Sequence, residues 1–211
     1  KNFVKIKCQK NVIEFLELFY RTLIMSVKFT PKLKQKISQK LPAEKAHANF
    51  QEALAHHQKG DLARAQIIYE EIIKKQPTNF DSLHLLGVLA YQNADYQRSV
   101  DLIKKAIQIN PKNSIFYYNK GLAHQELRQL ESAIDSFGKA IEFNPEYVDA
   151  HYNRGLTFVE LGQASLAALD FLRVTEMRPD YADAFSDLGN TQKELQQLLH
   201  RSSLHLLTLA I

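Results

Sequence analysis

At 211 residues with 45% apolar side chains, the chain is long enough for one or two domains and a sizeable core. Its net charge of +4 hides an asymmetry: residues 1–45 carry eleven basic and three acidic residues, whereas residues 46–211 carry sixteen and twenty. Nucleic-acid binding by the larger part would need a basic footprint that it lacks, and the single cysteine, Cys8, excludes an intramolecular disulfide and a thiolate metal cluster.

Residues 1–45 read as a basic lead-in. The stretch from Val12 to Ile24 is apolar but interrupted by Glu14, Glu17 and Arg21. It falls short of the roughly 20 uninterrupted apolar residues of a membrane span and of the uncharged core of a signal peptide. No membrane span is expected, and an export or anchor role for residues 12–24 is the lesser reading. Met25 is the first methionine, so translation from Met25, with residues 1–24 as upstream sequence, is one reading of this end. Lys28, Lys32, Lys34, Lys36 and Lys40 follow with no acid until Glu44. A solvated, partly helical arm is expected there, with an electrostatic tether to an anionic surface as the alternative.

From Ala46 the chain becomes periodic. Pro77, Pro111, Pro145 and Pro179 recur every 34 residues, and Gly87, Gly121, Gly155 and Gly189 keep step with them. Two breakers locked to one period, with helical sequence between, predict stacked helix pairs. The units begin at Ala46, Phe80, Ser114, Val148 and Ala182, so the array covers residues 46–195. In the third unit a first helix is predicted from about Ser114 to Leu127, with Tyr117, Gly121 and His124 on one face. A second helix follows from about Leu130 to Phe143, with Leu130, Ala133, Ile134, Phe137, Ala140 and Ile141 inward, and Asn144-Pro145 ends it. Small residues recur on the second helices at Ala65, Ser99, Ala133 and Ala167, and large ones at Tyr69, Ile103, Phe137 and Phe171. A glycine inside a helix costs about 1 kcal/mol relative to alanine, so its return in successive units predicts close helix contact.

These residues are similar to those of the tetratricopeptide repeat family, over four complete units and the first helix of a fifth. The resemblance implies an all-α, right-handed superhelical solenoid of antiparallel helix pairs that binds proteins or peptides. The first helices would line a concave groove. The fifth unit breaks down after Leu195, where the small and large slots fall on Arg201 and His205. Residues 196–211 are therefore expected to be an atypical tail. A chain truncated or frame-shifted near Gln197 is the expected cause, and an apolar tail docking on the last repeat is the alternative.

In the family the inward groove positions lie one, four, five, eight, eleven and twelve places after each unit's start. Carried onto this chain, they place His84 and Tyr91 in the second unit. They place Tyr118, Asn119 and Glu126 in the third, and Asp149, Tyr152, Asn153 and Glu160 in the fourth. Asn119 and Asn153 share a slot, which resembles the asparagine ladder of O-linked N-acetylglucosamine transferases, although Gln51, Leu85 and Asp187 fill it elsewhere. The carboxylate clamp that holds acidic C-termini in this family needs lysine and arginine. The corresponding slots hold Phe50, Leu54, Ile115, Asn119 and Asn153. A basic or neutral extended peptide therefore suits the groove better than an acidic one, with Asp183 among the acids that favour it.

No catalytic or metal-binding motif appears. His56 and His57 point about 100° apart on a helix, and His84, His124 and His151 occupy different slots, so they do not converge. The expected function is a cytoplasmic, non-catalytic adaptor that captures an extended partner segment, without a cofactor. The alternative is the substrate-recruiting front of a longer glycosyltransferase resembling the O-linked N-acetylglucosamine transferases.

Overall fold

The computed structural model describes the backbone of residues 47–209 and the side chains of residues 47–201. The readings made for residues 1–45, including the basic arm, the start at Met25 and the segment 12–24, lie outside the described residues. Among those described, nine helices and no strand occur. Helix α1 covers residues 47–58. Next come α2 (Leu62–Lys75), α3 (Phe80–Gln92), α4 (Tyr96–Ile109), α5 (Ser114–Glu126) and α6 (Leu130–Phe143), then α7 (Val148–Glu160), α8 (Ala164–Met177) and α9 (Ala182–Leu209).

The prolines act where the sequence puts them. Helices α2, α4, α6 and α8 each stop two residues before Pro77, Pro111, Pro145 or Pro179. The residue before a proline is pushed out of helical geometry, and the proline itself has no N–H to donate. Asp61 and Asp95 cap the starts of α2 and α4 by accepting from the amides of Arg64 and Arg98, both at 3.3 Å. Within each pair the chain reverses through one left-handed residue: Gly60 (φ 78°), Ala94 (59°), Arg128 (58°) and Gly162 (69°). These four also repeat every 34 residues, and two of them are not glycine. Left-handed geometry costs an L-residue roughly 1–2 kcal/mol, so the packing of the helices it joins holds it in place.

The chain divides into two compact units, Lys1–Leu89 and Ala90–Ile211, with the division inside α3. In the first, the ring of Tyr69 is fully buried, 6.1 Å from both Phe50 and His57. Ala53 and Ala65 are buried with it. No hydrogen-bond partner among the described residues reaches the Tyr69 hydroxyl, and burial pushes its pKa up to about 12.

In the second unit consecutive helices from α4 to α9 pack on one another, and α5 also touches α7. Its core is the stack of slots seen in the sequence: Ile103 with Ala106, Phe137 with Ala133 and Ala140, and Phe171 with Ala167 and Val174, all fully buried. The glycines take a specific part in this stack. A Cβ placed on Gly121 would lie 2.5 Å from Cε1 of Phe137, and one on Gly155 would lie 2.7 Å from the same atom of Phe171. Each ring therefore rests on the backbone of the first helix of its own unit. Burying such a side chain stabilises by about 1.5–3 kcal/mol. Gly189 keeps the sequence slot but has nothing within 4 Å of a would-be Cβ.

A buried charged cluster joins α7 to α8. Asp170 accepts from Nε and Nη2 of Arg154, each at 2.7 Å, and its Oδ1 lies 3.0 Å from Nδ1 of His151. Nε2 of His151 donates to the carbonyl of Pro145 at 3.1 Å. Burial would raise the pKa of Asp170, but the hydrogen bonds and positive charge of Arg154 and His151 outweigh it and hold the pKa below the usual carboxylate range.

The two kinds of glycine predict opposite responses to added side chains. Gly121→Leu must displace a ring with no free space and should cost about 1–3 kcal/mol or more. Gly189→Ala adds a methyl to open space and should stabilise by about 0.5–1 kcal/mol. Urea melts of both variants check this, and equal effects would mean that the ring-on-glycine contact does not set the fold.

Candidate functional site

Side chains of the first helices meet from one repeat to the next in the second unit. Three hydrogen bonds, each spanning 35 residues, make the link. The Tyr91 hydroxyl donates to Oε1 of Glu126 at 3.3 Å, Nδ2 of Asn153 donates to the Tyr118 hydroxyl at 3.3 Å, and the Tyr152 hydroxyl donates to Oδ2 of Asp187 at 2.8 Å. A fourth contact reinforces them one turn on, where Nε2 of Gln125 donates to Oγ1 of Thr157 at 2.7 Å. The spacing is a consequence of the repeat. Residues 34 apart sit at equivalent points of adjacent helices, and one further step turns the side chain toward its neighbour.

Aromatic rings fill the space between these links. Tyr118 lies 4.9 Å from Tyr147, and Tyr152 lies 4.9 Å from Tyr181, with nearly the same tilt (39° and 37°). Tyr118 and Tyr152 are in turn braced from beneath by Phe137 and Phe171, both at 5.8 Å. The rings that seat on Gly121 and Gly155 thus also hold up the tyrosines.

Carboxylates give this surface its electrostatic character. Asp149 and Asp183 are exposed, and neither carboxylate makes a hydrogen bond or ion pair among the described residues. Burial raises the pKa of Tyr118, Tyr147, Tyr152 and Tyr181, and nearby carboxylates raise it further. Asp149 acts on Tyr118, Tyr147 and Tyr181, while Asp183 acts on Tyr152 and Tyr181. Tyr147 reaches about 12, as does Tyr91 through burial and the charge of Glu126. At neutral pH all these hydroxyls are protonated.

Several residues expected in a groove sit here, and their roles differ. Both amide protons of Asn153 are in use, one on the Tyr118 hydroxyl and one on the carbonyl of Asp149 at 2.8 Å. Its Oδ1 accepts no hydrogen bond among the described residues. Asn119 is half-buried. Glu160 is held by Arg128 at 2.7 Å, so its charge is compensated. Glu126 is exposed and engaged with Tyr91. His84 belongs to the first unit and is buried, which pushes its pKa down to about 4. Tyr147 and Tyr181 carry no groove expectation from sequence, and Asp187 enters there only as a departure from the asparagine slot. The two tyrosines stand two residues after Pro145 and Pro179, a 34-residue signal that lies in the turns leading into the helices and not in the helices themselves.

Comparison with known proteins agrees with this geometry. Family models described as TPR repeat and tetratricopeptide repeat match residues 126–162 and 148–181. The array is built of tetratricopeptide repeats. A model for anaphase-promoting complex, cyclosome, subunit 3 matches residues 58–140 of the same tetratricopeptide array. Among solved structures, MamA from Desulfovibrio magneticus is similar at 22% identity, covering 84% of this chain and 97% of that one, with a TM-score of 0.63. YrrB, described as a TPR protein with an unusual peptide-binding site, is similar at 23% identity, over 77% of this chain and 83% of that one, with a TM-score of 0.65. The first TPR of Spaghetti (RPAP3), bound to the HSP90 peptide SRMEEVD, is similar at 23% identity, over 56% and 93%, with a TM-score of 0.54. These likenesses establish the tetratricopeptide fold. No match was found among curated proteins.

Among the described residues, no group of three histidine, cysteine or acidic side chains could hold a metal ion, and no helix is long and apolar enough to cross a membrane.

The burial of His84 predicts a pH effect with a definite sign. Its folded-state pKa lies below 6.5, so its neutral form favours folding fully above pH 6.5, and that contribution is lost as pH falls toward about 4. At one unit of pKa per 1.36 kcal/mol, the loss between pH 7 and pH 5 is about 2 kcal/mol. Urea melts at both pH values should show the wild type losing about that much more stability than His84→Leu. Equal losses would contradict the assignment.

Proposed function

We propose that this chain is a peptide-binding adaptor that captures an extended segment of a partner protein along its first-helix face. The observation that carries the reading is the run of inter-repeat links Tyr91–Glu126, Asn153–Tyr118 and Tyr152–Asp187, which joins successive first helices into one polar, aromatic surface. Large rigid rings beside hydrogen-bonding amides suit peptide recognition because they offer contact area at low entropic cost. A bound strand would donate its backbone N–H groups to Oδ1 of Asn153 and meet Asn119 one repeat earlier. These contacts ignore side-chain identity, as capture of an extended chain requires.

The electrostatics favour a basic or neutral segment. Asp149 and Asp183 carry uncompensated charge on this face, and acidic ligands would be repelled. The acidic peptide bound by the first TPR of Spaghetti (RPAP3) is thus of the opposite kind. In this reading the repeats bind and do no chemistry, and the lone Cys8 suits a reducing compartment such as the cytoplasm.

The test is to pan a random dodecamer display library on the purified chain and measure the affinity of the selected peptides by fluorescence anisotropy. Asn119→Ala combined with Asn153→Ala should weaken them about ten-fold, equivalent to about 1.4 kcal/mol, with helicity unchanged. Full affinity in the double variant, or no selected peptides at all, would overturn the reading.

A further inference from the structure

We propose that the paired rings Tyr118–Tyr147 and Tyr152–Tyr181, together with the carboxylates of Asp149 and Asp183, form a recognition site for an arginine side chain of the bound segment. The inference rests on the peptide-binding reading and names the chemistry that the surface selects.

The aromatic geometry is the first support. Each pair stands with ring centroids 4.9 Å apart and tilted by less than 40°, and all four tyrosines are only half-buried, so part of each is open to a ligand. The negative face of a ring attracts a cation within about 6 Å of its centroid. The molecule already shows this on the same surface: the guanidinium of Arg178 sits 5.2 Å from the centroid of Tyr181. Arg178 also reaches Asp180 at 3.4 Å, and among the described residues the carboxylates of Asp149 and Asp183 have no cation paired with them.

The position of the charge is the second support. Beyond the larger effect of burial, the charge of Asp149 raises the pKa of three of the four hydroxyls, and that of Asp183 raises those of Tyr152 and Tyr181, which places both carboxylates beside the rings. A carboxylate beside a ring face presents a cation with ion pairing and π contact at once. Both acids stand in the first turn of a helix, at α7 and α9, in equivalent places one repeat apart. An arginine fits better than a lysine. Its planar guanidinium lies flat on a ring while its fork of N–H donors engages a carboxylate, and it sheds water more easily than an ammonium.

The experiment pans a random dodecamer display library in parallel on the wild type and on Asp149→Asn/Asp183→Asn, at low salt, and sequences both pools. Asparagine keeps the shape and removes the charge; should the double variant not fold, Asp149→Asn alone takes its place. The wild-type pool should be enriched in arginine by about three-fold or more over the input, and the variant pool should lose that enrichment while still containing selected peptides. An empty wild-type pool would overturn the peptide-binding reading itself. A wild-type pool without excess arginine, one equally rich in lysine, or a variant pool as rich in arginine would overturn the arginine site and leave peptide binding standing. Replacing arginine by citrulline in a selected peptide should lower its affinity for the wild type about ten-fold and leave its affinity for the variant unchanged.

Discussion

A phenylalanine ring packed directly against a glycine backbone is the contact on which the described second unit depends. Phe137 on Gly121 and Phe171 on Gly155 bring the two helices of a repeat closer than any side chain on the first helix would allow. The glycine weakens its own helix by about 1 kcal/mol, and the buried ring more than offsets that cost. Because the ring is large and its seat has no side chain, the geometry of the pair is set by shape. It holds in the third and fourth repeats, whereas Gly189 in the fifth has no neighbour within 4 Å of a would-be Cβ. Asp170, clamped by Arg154 and His151, adds a second tie between α7 and α8. Breaking such a cluster leaves a buried charge unpaired, so it fixes the pair's register more than it adds to its stability.

The same contact positions the candidate binding surface. Phe137 and Phe171 lie 5.8 Å from Tyr118 and Tyr152, which stand one turn before Gly121 and Gly155 on the same face of the first helices. A shift of the core ring would move the tyrosine above it, then its partner in the turn after the second helix, then the carboxylates of Asp149 and Asp183. Core and surface are therefore one mechanical unit. The periodicity that permits stacking also delivers equivalent functional groups at equal intervals, which is what an extended peptide, itself periodic, can exploit.

Much of this was legible in the residues. The prolines and glycines mark the repeat because each forces a backbone event, and the boundaries read for the third unit agree with α5 and α6 to within a residue. Other features lacked so plain a signature. The left-handed turn slot is glycine at Gly60 and Gly162 but alanine and arginine at Ala94 and Arg128, so composition conceals it. His84 shares its slot with Tyr118 and Tyr152, yet it is buried, because slot identity does not set exposure. After Leu195 the repeat pattern stops, but the chain does not. Gln196, Gln197, Leu198 and Leu199 are good helix formers with no breaker among them, and α9 runs on to Leu209 as a single helix of 28 residues. The turn tyrosines were missed because they act from outside the helices.

The central claim is that an extended peptide lies across the first helices and not against the second. Backbone amide chemical-shift mapping of the labelled protein, titrated with a peptide selected from the library, tests it most directly. The account predicts perturbations concentrated on α5 and α7, around Tyr118, Asn119, Asp149, Tyr152 and Asn153, and at Tyr147 and Tyr181 in the turns. Perturbations confined to the exposed faces of α6 and α8, around Asp135, Leu169 or Leu172, would contradict it.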